Sequence, residues 1–473
     1  MGQRVSAVRS APLFLWRAKM KRLLMLLLIS CLVLFACRGQ GPLVYNVNKS
    51  AELKEYESEL AAESLYAESV SQQSIEESRR AESEAAAQEA LIWKKKKVSK
   101  KRVLVKGIYL TDNTAGSGRM DEIISHMDQT ELNAVVIDIK NDHGRIAAQL
   151  DAPLAKELGA TVNTIPDLPG LLSKLHEHGI YAIARLVTFR DPYLGGVKPE
   201  WMNQKADGSV FRDNSGMCWV NPYKREYWEY IAQIADACAD SGFDEIQFDY
   251  VRFCTEKGMN EVVYSEEDTR GLDKTQIIME FVQFISDRMA KKNVFMSADV
   301  FGTIIGSYVD TISVGQDYSL MATGVDYMSP MIYPSHYGNG NFGIAYPDME
   351  PYKTIRGALA ASRKDLQLDY SQGQYQASIR PWLQGFTASY LQHYINYGPQ
   401  QIRQQIQAVY DSGYEEWLIW NAANNYDWTA FRSKEEGKRE EESVEASQKA
   451  EQESRDAALL PSGSSGKESS SSP

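Results

Sequence analysis

Between about Val103 and Arg432 the apolar positions follow two alternating rhythms. Short runs of β-branched and aromatic residues are separated by stretches in which apolar residues recur at helical spacing, the pattern of parallel strands joined by crossover helices. The runs predict eight strands: Val103–Leu110, Ala134–Ile139, Tyr181–Val187, Glu245–Tyr250, Val294–Ala298, Tyr327–Ile332, Ser378–Leu383 and Glu416–Trp420. Helices are predicted over Arg119–Gln129, Leu168–His178, Lys224–Asp240, Lys274–Lys291, Tyr352–Asp365 and Gln400–Asp411. Gly179, Gly242, Gly324 and Gly413 stand at helix exits, where a left-handed cap prefers glycine. Eight such units, with no glycine-rich phosphate loop after the first strand, predict an α/β fold of the (β/α)₈ TIM-barrel type rather than an open doubly wound sheet. Asp240-Ser241-Gly242-Phe243-Asp244-Glu245 and Asp411-Ser412-Gly413-Tyr414-Glu415-Glu416 echo one another at the entries to the fourth and eighth strands. Half-barrel symmetry would produce that echo, and so would reuse of one helix-exit solution.

The pattern changes outside this region. Lys19, Lys21 and Arg22 precede an apolar run, Leu23 to Ala36, that is too short for the roughly 20 residues of a spanning helix. It reads as a signal peptide over residues 1–37, with Met20 a better start than Met1. Leu34-Phe35-Ala36-Cys37 resembles a bacterial lipobox, which makes Cys37 the expected lipidation site and the outer face of the cell membrane the expected location. An ordinary secretory signal would also carry the chain outside the cytoplasm. Residues 38–102 form a spacer: Ser50–Ala90 is built from Ala, Glu, Ser and Gln, which favours a solvated helix or weak coiled coil about 60 Å long. A basic run from Lys94 to Arg102 then reads as a solvated linker. Residues 433–473, rich in Glu and Ser, are expected to be a disordered tail.

Composition narrows the function. The 473 residues are 43% hydrophobic, enough for a large core, and 51 basic against 63 acidic residues give a net charge of −12. A chain that acidic gains little from counterion release, so nucleic acid is not an expected partner. There is no His-Glu-x-x-His, no Cys/His cluster, no calcium loop and no Gly-x-Ser-x-Gly elbow, so neither metal nor cofactor is expected. Of the cysteines outside the leader, Cys218 and Cys254 lie in loops where they could pair, while Cys238 reads as a core residue.

In a TIM barrel the chemistry gathers at the carboxyl ends of the strands. The polar residues there are Asp138, Lys140 and Asp142 after the second strand, Arg185 in the third, and Asp249, Tyr250 and Arg252 at the fourth. Asp299 follows the fifth, Tyr333 and His336 the sixth, Trp382 and Gln384 the seventh, and Trp420 and Asn421 the eighth. Carboxylates, an arginine and flat rings converging on one mouth suit a sugar site. Asp249 and Asp299, on neighbouring strands, are the expected catalytic pair and the others the expected substrate contacts. Arg185 or Arg252 could keep Asp249 ionised as nucleophile or base, and the apolar neighbours of Asp299 would raise its pKa for acid duty. The two facing one cleft would favour an enzyme; either buried in an arginine pair would favour a barrel that only binds.

With these residues in view, the chain resembles a family of bacterial glycosyl hydrolase-like TIM barrels, often signal-bearing or lipoprotein. The resemblance rests on Val135-Val136-Ile137-Asp138-Ile139-Lys140-Asn141-Asp142, on Gly242 to Phe253, on Ser297-Ala298-Asp299-Val300-Phe301-Gly302, on Met328 to Pro334 and on Arg380-Pro381-Trp382-Leu383-Gln384. It spans about Lys106 to Trp428 and implies a glycosidase fold without fixing a substrate. Cys254 stands where such sequences continue with Pro. More distantly, Gly242 to Val251 resembles the strand-four motif of chitinase-like barrels, as do Met331-Ile332-Tyr333 and Trp420 in their own strands. Val251 occupies the place of that family's catalytic Glu, which implies that any chemistry here must use Asp249 differently. The expected protein is therefore a monomeric, membrane-tethered extracellular glycoside hydrolase acting on an oligo- or polysaccharide, with a catalytically silent glycan- or partner-binding barrel as the alternative.

Overall fold

The computed structural model describes residues 95–369, 377–444 and 446. The leader with Cys37, most of the spacer and the end of the tail lie outside the described residues. Eight parallel strands close into a barrel: β1 Lys106–Leu110, β2 Ala134–Lys140, β3 Tyr181–Val187, β4 Glu245–Asp249, β5 Phe295–Phe301, β6 Tyr327–Met331, β7 in two pieces at Ser378–Ile379 and Trp382–Gln384, and β8 Trp417–Trp420. Each pairs with the next, and β8 returns to β1 with Lys106 opposite Trp417. The TIM-barrel expectation holds. Pro381 has no N–H for the ladder and falls between the two pieces of β7.

The side-chain alternation of a strand sorts the core into two. Val135, Ile137, Ala184 and Leu186 belong to the large cluster packed under the helices, whereas Val136, Ile183, Phe295, Tyr327, Trp382 and Leu418 form a separate cluster, which the alternation assigns to the lumen. The principal helices are α1 Arg119–Met127, α2 Leu168–Glu177, α3 Arg225–Ser241, α4 Lys274–Lys292, α5 Tyr318–Gly324, α6 Pro351–Asp369 and α7 Pro399–Asp411. Their ends follow local chemistry. Asp273 and Gln276 form a reciprocal capping box at the start of α4, and Gly242, with φ +108°, ends α3 in the left-handed region. Gly324 departs from the expected role: it is the last helical residue of α5, and a Cβ there would lie 2.5 Å from Val282. Close packing, not backbone conformation, requires glycine at that point.

Three further expectations change. Strand β5 runs on to Phe301 rather than stopping at Ala298, because Asp299 is an inward-facing strand residue. The basic run meets the barrel: Lys95 pairs with Asp326 at 2.9 Å with both side chains buried, and Lys96 with Asp287 at 3.2 Å. The tail begins as helix over 434–444, where Glu440 pairs with Arg403 (2.8 Å) and Glu441 with Lys106 (2.9 Å). Its acidic composition therefore marks a docked surface in those first turns.

The repeated hexapeptide has a structural counterpart. Gly242 and Gly413 both take positive φ, and each repeat ends in a glutamate aimed at the same guanidinium. Arg380, fully buried, forms an ion pair with Glu245, also fully buried, and lies 3.6 Å from Glu416, with its charge 4.3 Å from the Tyr327 ring centroid. Burial pushes Glu416 up to about 7 despite the charge of Arg380. Arg380→Met should leave Glu245 as an uncompensated buried charge and lower unfolding stability by about 3–5 kcal/mol in urea titration. A loss under about 1 kcal/mol would show that the pair carries little of the barrel's stability.

Candidate active site

Arg185 organises the carboxyl end of the barrel. It sits on β3 with its guanidinium almost wholly buried, and it reaches aspartates contributed by both neighbouring strands. Its Nη1 donates to Asp138 at 2.6 Å and to Asp142 at 3.2 Å, while Nε and Nη2 donate to one oxygen of Asp249 at 3.0 and 2.6 Å. The planar fork of arginine permits this arrangement, and a lysine ammonium could not reproduce it. The guanidinium also lies over Trp420, 5.2 Å from the ring centroid, and Trp420 stacks on Tyr109 at 3.9 Å. The Tyr109 hydroxyl donates to Asp138. Burial raises Asp138 to about 6 despite Arg185, and the charge of Asp142 adds to the rise. For Asp142 burial acts upward, but Arg185 and Arg190 together hold it below the ordinary carboxylate value.

Asp249 and Asp299 occupy equivalent levels on β4 and β5, one residue past the paired Phe248 and Ala298. Asp249 is 5% exposed; its second oxygen accepts the backbone N–H of Tyr250 at 2.6 Å. Asp299 is 1% exposed and accepts the indole N–H of Trp382 at 2.8 Å. Burial, and then the negative charge of Asp249, raise Asp299 well above the usual carboxylate range. Burial, and then the charges of Asp299 and Asp249, raise the Tyr333 hydroxyl above its ordinary value.

Tyr250 turns the chain out of β4. Its φ of +54° is costly for a residue with a Cβ, and such strain persists only where the surroundings enforce it. Here the tyrosine hydroxyl accepts from Arg190 at 3.0 Å, and its ring packs edge-on against Trp219 at 5.5 Å. The loops after β3 and β4 share a small core of Phe211, Trp219 and Cys254, and a two-stranded ribbon joins Gln204–Lys205 to Val262–Val263. Arg252 lies in this wall, 9% exposed.

The structure thus brings Asp138, Asp142, Arg185, Asp249, Tyr250, Asp299, Tyr333, Trp382 and Trp420 together. Other expected contacts are used elsewhere. Lys140 is fully buried, pairing with Asp191 at 2.8 Å and donating to the Val187 carbonyl, so it braces the loop after β3 and does not reach the mouth. Gln384, also fully buried, ties Asp348, Phe386 and Ser335 together, and Asn421 donates to the carbonyls of Gly385 and Asn425. Trp382 is 1% exposed and serves as a hydrogen-bond donor to Asp299, not as an open platform. His336 is exposed on the rim, edge-on to Tyr333 at 5.1 Å. Cys218 and Cys254 are separate buried thiols. Tyr109 is the residue that sequence reasoning passed over, although alternation from an inward-facing β1 would have found it. Among the described residues no group of three or more His, Cys, Asp or Glu side chains could hold a metal ion, and no helix is long and apolar enough to cross a membrane.

A family model described as "Putative glycosyl hydrolase domain" matches residues 107–426. No curated protein matches the chain. Among solved structures, a hypothetical protein from Ruminiclostridium thermocellum is 36% identical, with a TM-score of 0.38 over 41% of this chain and 97% of that one. The PgaB (BpsB) glycoside hydrolase domain from Bordetella bronchiseptica is 12% identical, with a TM-score of 0.49 over 69% and 98%. An alpha-galactosidase from Thermus thermophilus is 14% identical, with a TM-score of 0.43 over 76% and 65%.

Arg185 lowers the Asp138 pKa in this geometry, so Arg185→Met should move the Asp138 midpoint upward from about 6. Carboxyl ¹³C titration of aspartate-labelled protein reads this shift. An unchanged or lower midpoint in a folded variant would remove Arg185 as the group that sets the charge of the cluster.

Proposed function

Since the chain belongs to the glycosyl hydrolase domain family that residues 107–426 match, we propose that it cleaves glycosidic bonds of an oligo- or polysaccharide with Asp299 as acid and Asp249 as nucleophile or base. The observation that carries this reading is the contrast between two carboxyls at the same level of adjacent strands. Asp249 is bound to a guanidinium, whereas burial and the charge of Asp249 raise Asp299 well above the usual carboxylate range. A pair so divided supplies a proton to the leaving oxygen and an anion to the anomeric carbon or to a water. Asp299 gives up its proton as the bond breaks, and the Trp382 indole N–H steadies the carboxylate that results. Trp420, stacked on Tyr109 with the Arg185 guanidinium beside both rings, is the flat ring we assign to a pyranose face.

One observation favours a second reading, a barrel that binds glycan without cleaving it. Both oxygens of Asp249 are engaged, one by Arg185 and the other by the Tyr250 N–H, and the side chain is buried. Reducing-end release by the full chain against wall glycans, α-glucans and β-glucans separates the two. As a hydrolase, the chain should release ends from at least one of them, and Asp249→Asn and Asp299→Asn should each reduce the rate by about 10²–10⁴-fold while binding remains. No release from any glycan, with binding that survives both substitutions, would leave the binding reading.

The leader extends the proposal to location. The lipobox-like Leu34–Cys37 supports an enzyme tethered by lipid to the outer face of the membrane, with the Ala/Glu/Ser-rich stretch as its spacer. Palmitate labelling in a bacterial host should tag the chain, and Cys37→Ala should abolish the label. Equal labelling of both would sink the lipoprotein assignment.

A further inference from the structure

The described arginines that are buried divide into two kinds. Arg185 and Arg380 each hold carboxylates. Arg252, 9% exposed, has no carboxylate within ion-pairing distance among the described residues, and its hydrogen bond runs from Nη1 to the carbonyl of its neighbour Phe253 at 2.9 Å. Aromatic rings surround the guanidinium instead: its carbon lies 4.2 Å from the centroid of Phe301, 4.7 Å from Trp219 and 5.3 Å from Tyr250. Three ring faces soften the loss of hydration but provide no counter-charge. Arg190 sits on the same Tyr250 ring at 5.2 Å and its charge disfavours Arg252, while the charge of Asp249 favours it from beyond ion-pairing distance. A buried cation without an ion-paired carboxylate is expensive, and the fold provides it three residues beyond Asp249 in the wall of the mouth.

We propose that Arg252 recognises a carboxylate carried by the glycan, so that the substrate of this site is an acidic oligo- or polysaccharide. The inference deepens the hydrolase reading and rests on it for the word substrate. Guanidinium and carboxylate meet in a planar, two-bonded fork, and the aromatic collar around Arg252 fixes the plane of that fork. An arriving carboxylate would also screen Arg252 from Arg190. Two sources offer the same chemistry, the C6 carboxylate of a uronic acid and the lactyl carboxylate of a peptide-stripped wall glycan.

Binding of the full chain to uronate oligosaccharides and to peptide-stripped wall glycan, each beside its carboxyl-reduced form, tests the proposal by calorimetry. The wild type should prefer at least one acidic ligand over its reduced form by about tenfold or more, and the preference should weaken with salt. Preference confined to the uronates names the first source, and preference confined to wall glycan the second. Arg252→Met should bring the ratio towards one while keeping affinity for the reduced ligand, and Arg252→Lys should retain part of it. Equal binding of acidic and reduced ligands by the wild type, or no binding of either, overturns the proposal even if Arg252→Met fails to fold. A preference that persists in folded Arg252→Met also overturns it. Product release is scored separately on the same ligands: an acidic preference without release would sink the hydrolase and leave the carboxylate site standing.

Discussion

A charge inside a closed barrel has no bulk water to fall back on, and this constraint shapes the lumen from end to end. Backbone pairing has already used the strand N–H and C=O groups, so each buried charge needs an opposite side chain aimed inward from another strand. The barrel meets this need twice. At the base, Arg380 from the seventh strand lies between Glu245 and Glu416, which enter from the fourth and eighth. At the mouth, Arg185 from the third strand gathers Asp138, Asp142 and Asp249 from its two sides. Apolar residues such as Val136, Ile183 and Leu418 belong to the lumen as well, so each set of charges is solved locally.

The two solutions differ in what they leave over. At the base both glutamates lie against the one guanidinium, while the mouth has a carboxyl and a cation outside its ion pairs. Arg185 satisfies the aspartates it touches but does not reach Asp299, whose partner is a neutral indole. Nor does any aspartate reach Arg252, whose neighbours are rings. A carboxyl raised by burial and a cation without an ion pair therefore remain near a paired carboxylate, and the loop that carries the cation is fastened by a core of its own. That combination stores electrostatic potential where a ligand would arrive, and the left-handed Tyr250 is the backbone cost of assembling it.

Most of this architecture was legible because apolar periodicity reports which side of an element faces inward, and the eight runs identified the eight strands. Boundaries slipped where a polar residue stood inside a strand: Asp299 read as the end of β5 because lumen-facing aspartate looks like solvent-facing aspartate in one dimension. Helix α5 went unread because seven residues give periodicity little room to show. At the site, the residues at strand ends were the right pool, yet sequence could not tell which pointed into the mouth. Lys140 and Asp138 lie two positions apart on β2, and an irregularity in register between them sends one behind the sheet and the other into the lumen. Pairing was equally hidden, since Glu245 and Arg380 are distant in the chain and meet only through closure.

The first turns of the tail carry a different consequence. Lys106 begins the first strand, and its ammonium is shared between Glu131 and Glu441, while Arg403 is shared between Glu131 and Glu440. Three carboxylates and two cations thus clasp the opening strand, the last barrel helix and the segment beyond the barrel into one knot. A protease that cut just after Arg432 would remove Glu440 and Glu441 and leave Lys106 and Arg403 to share Glu131 alone at the seam where the barrel shuts. The packed structure therefore extends past residue 440, where composition alone would already have declared the chain unstructured.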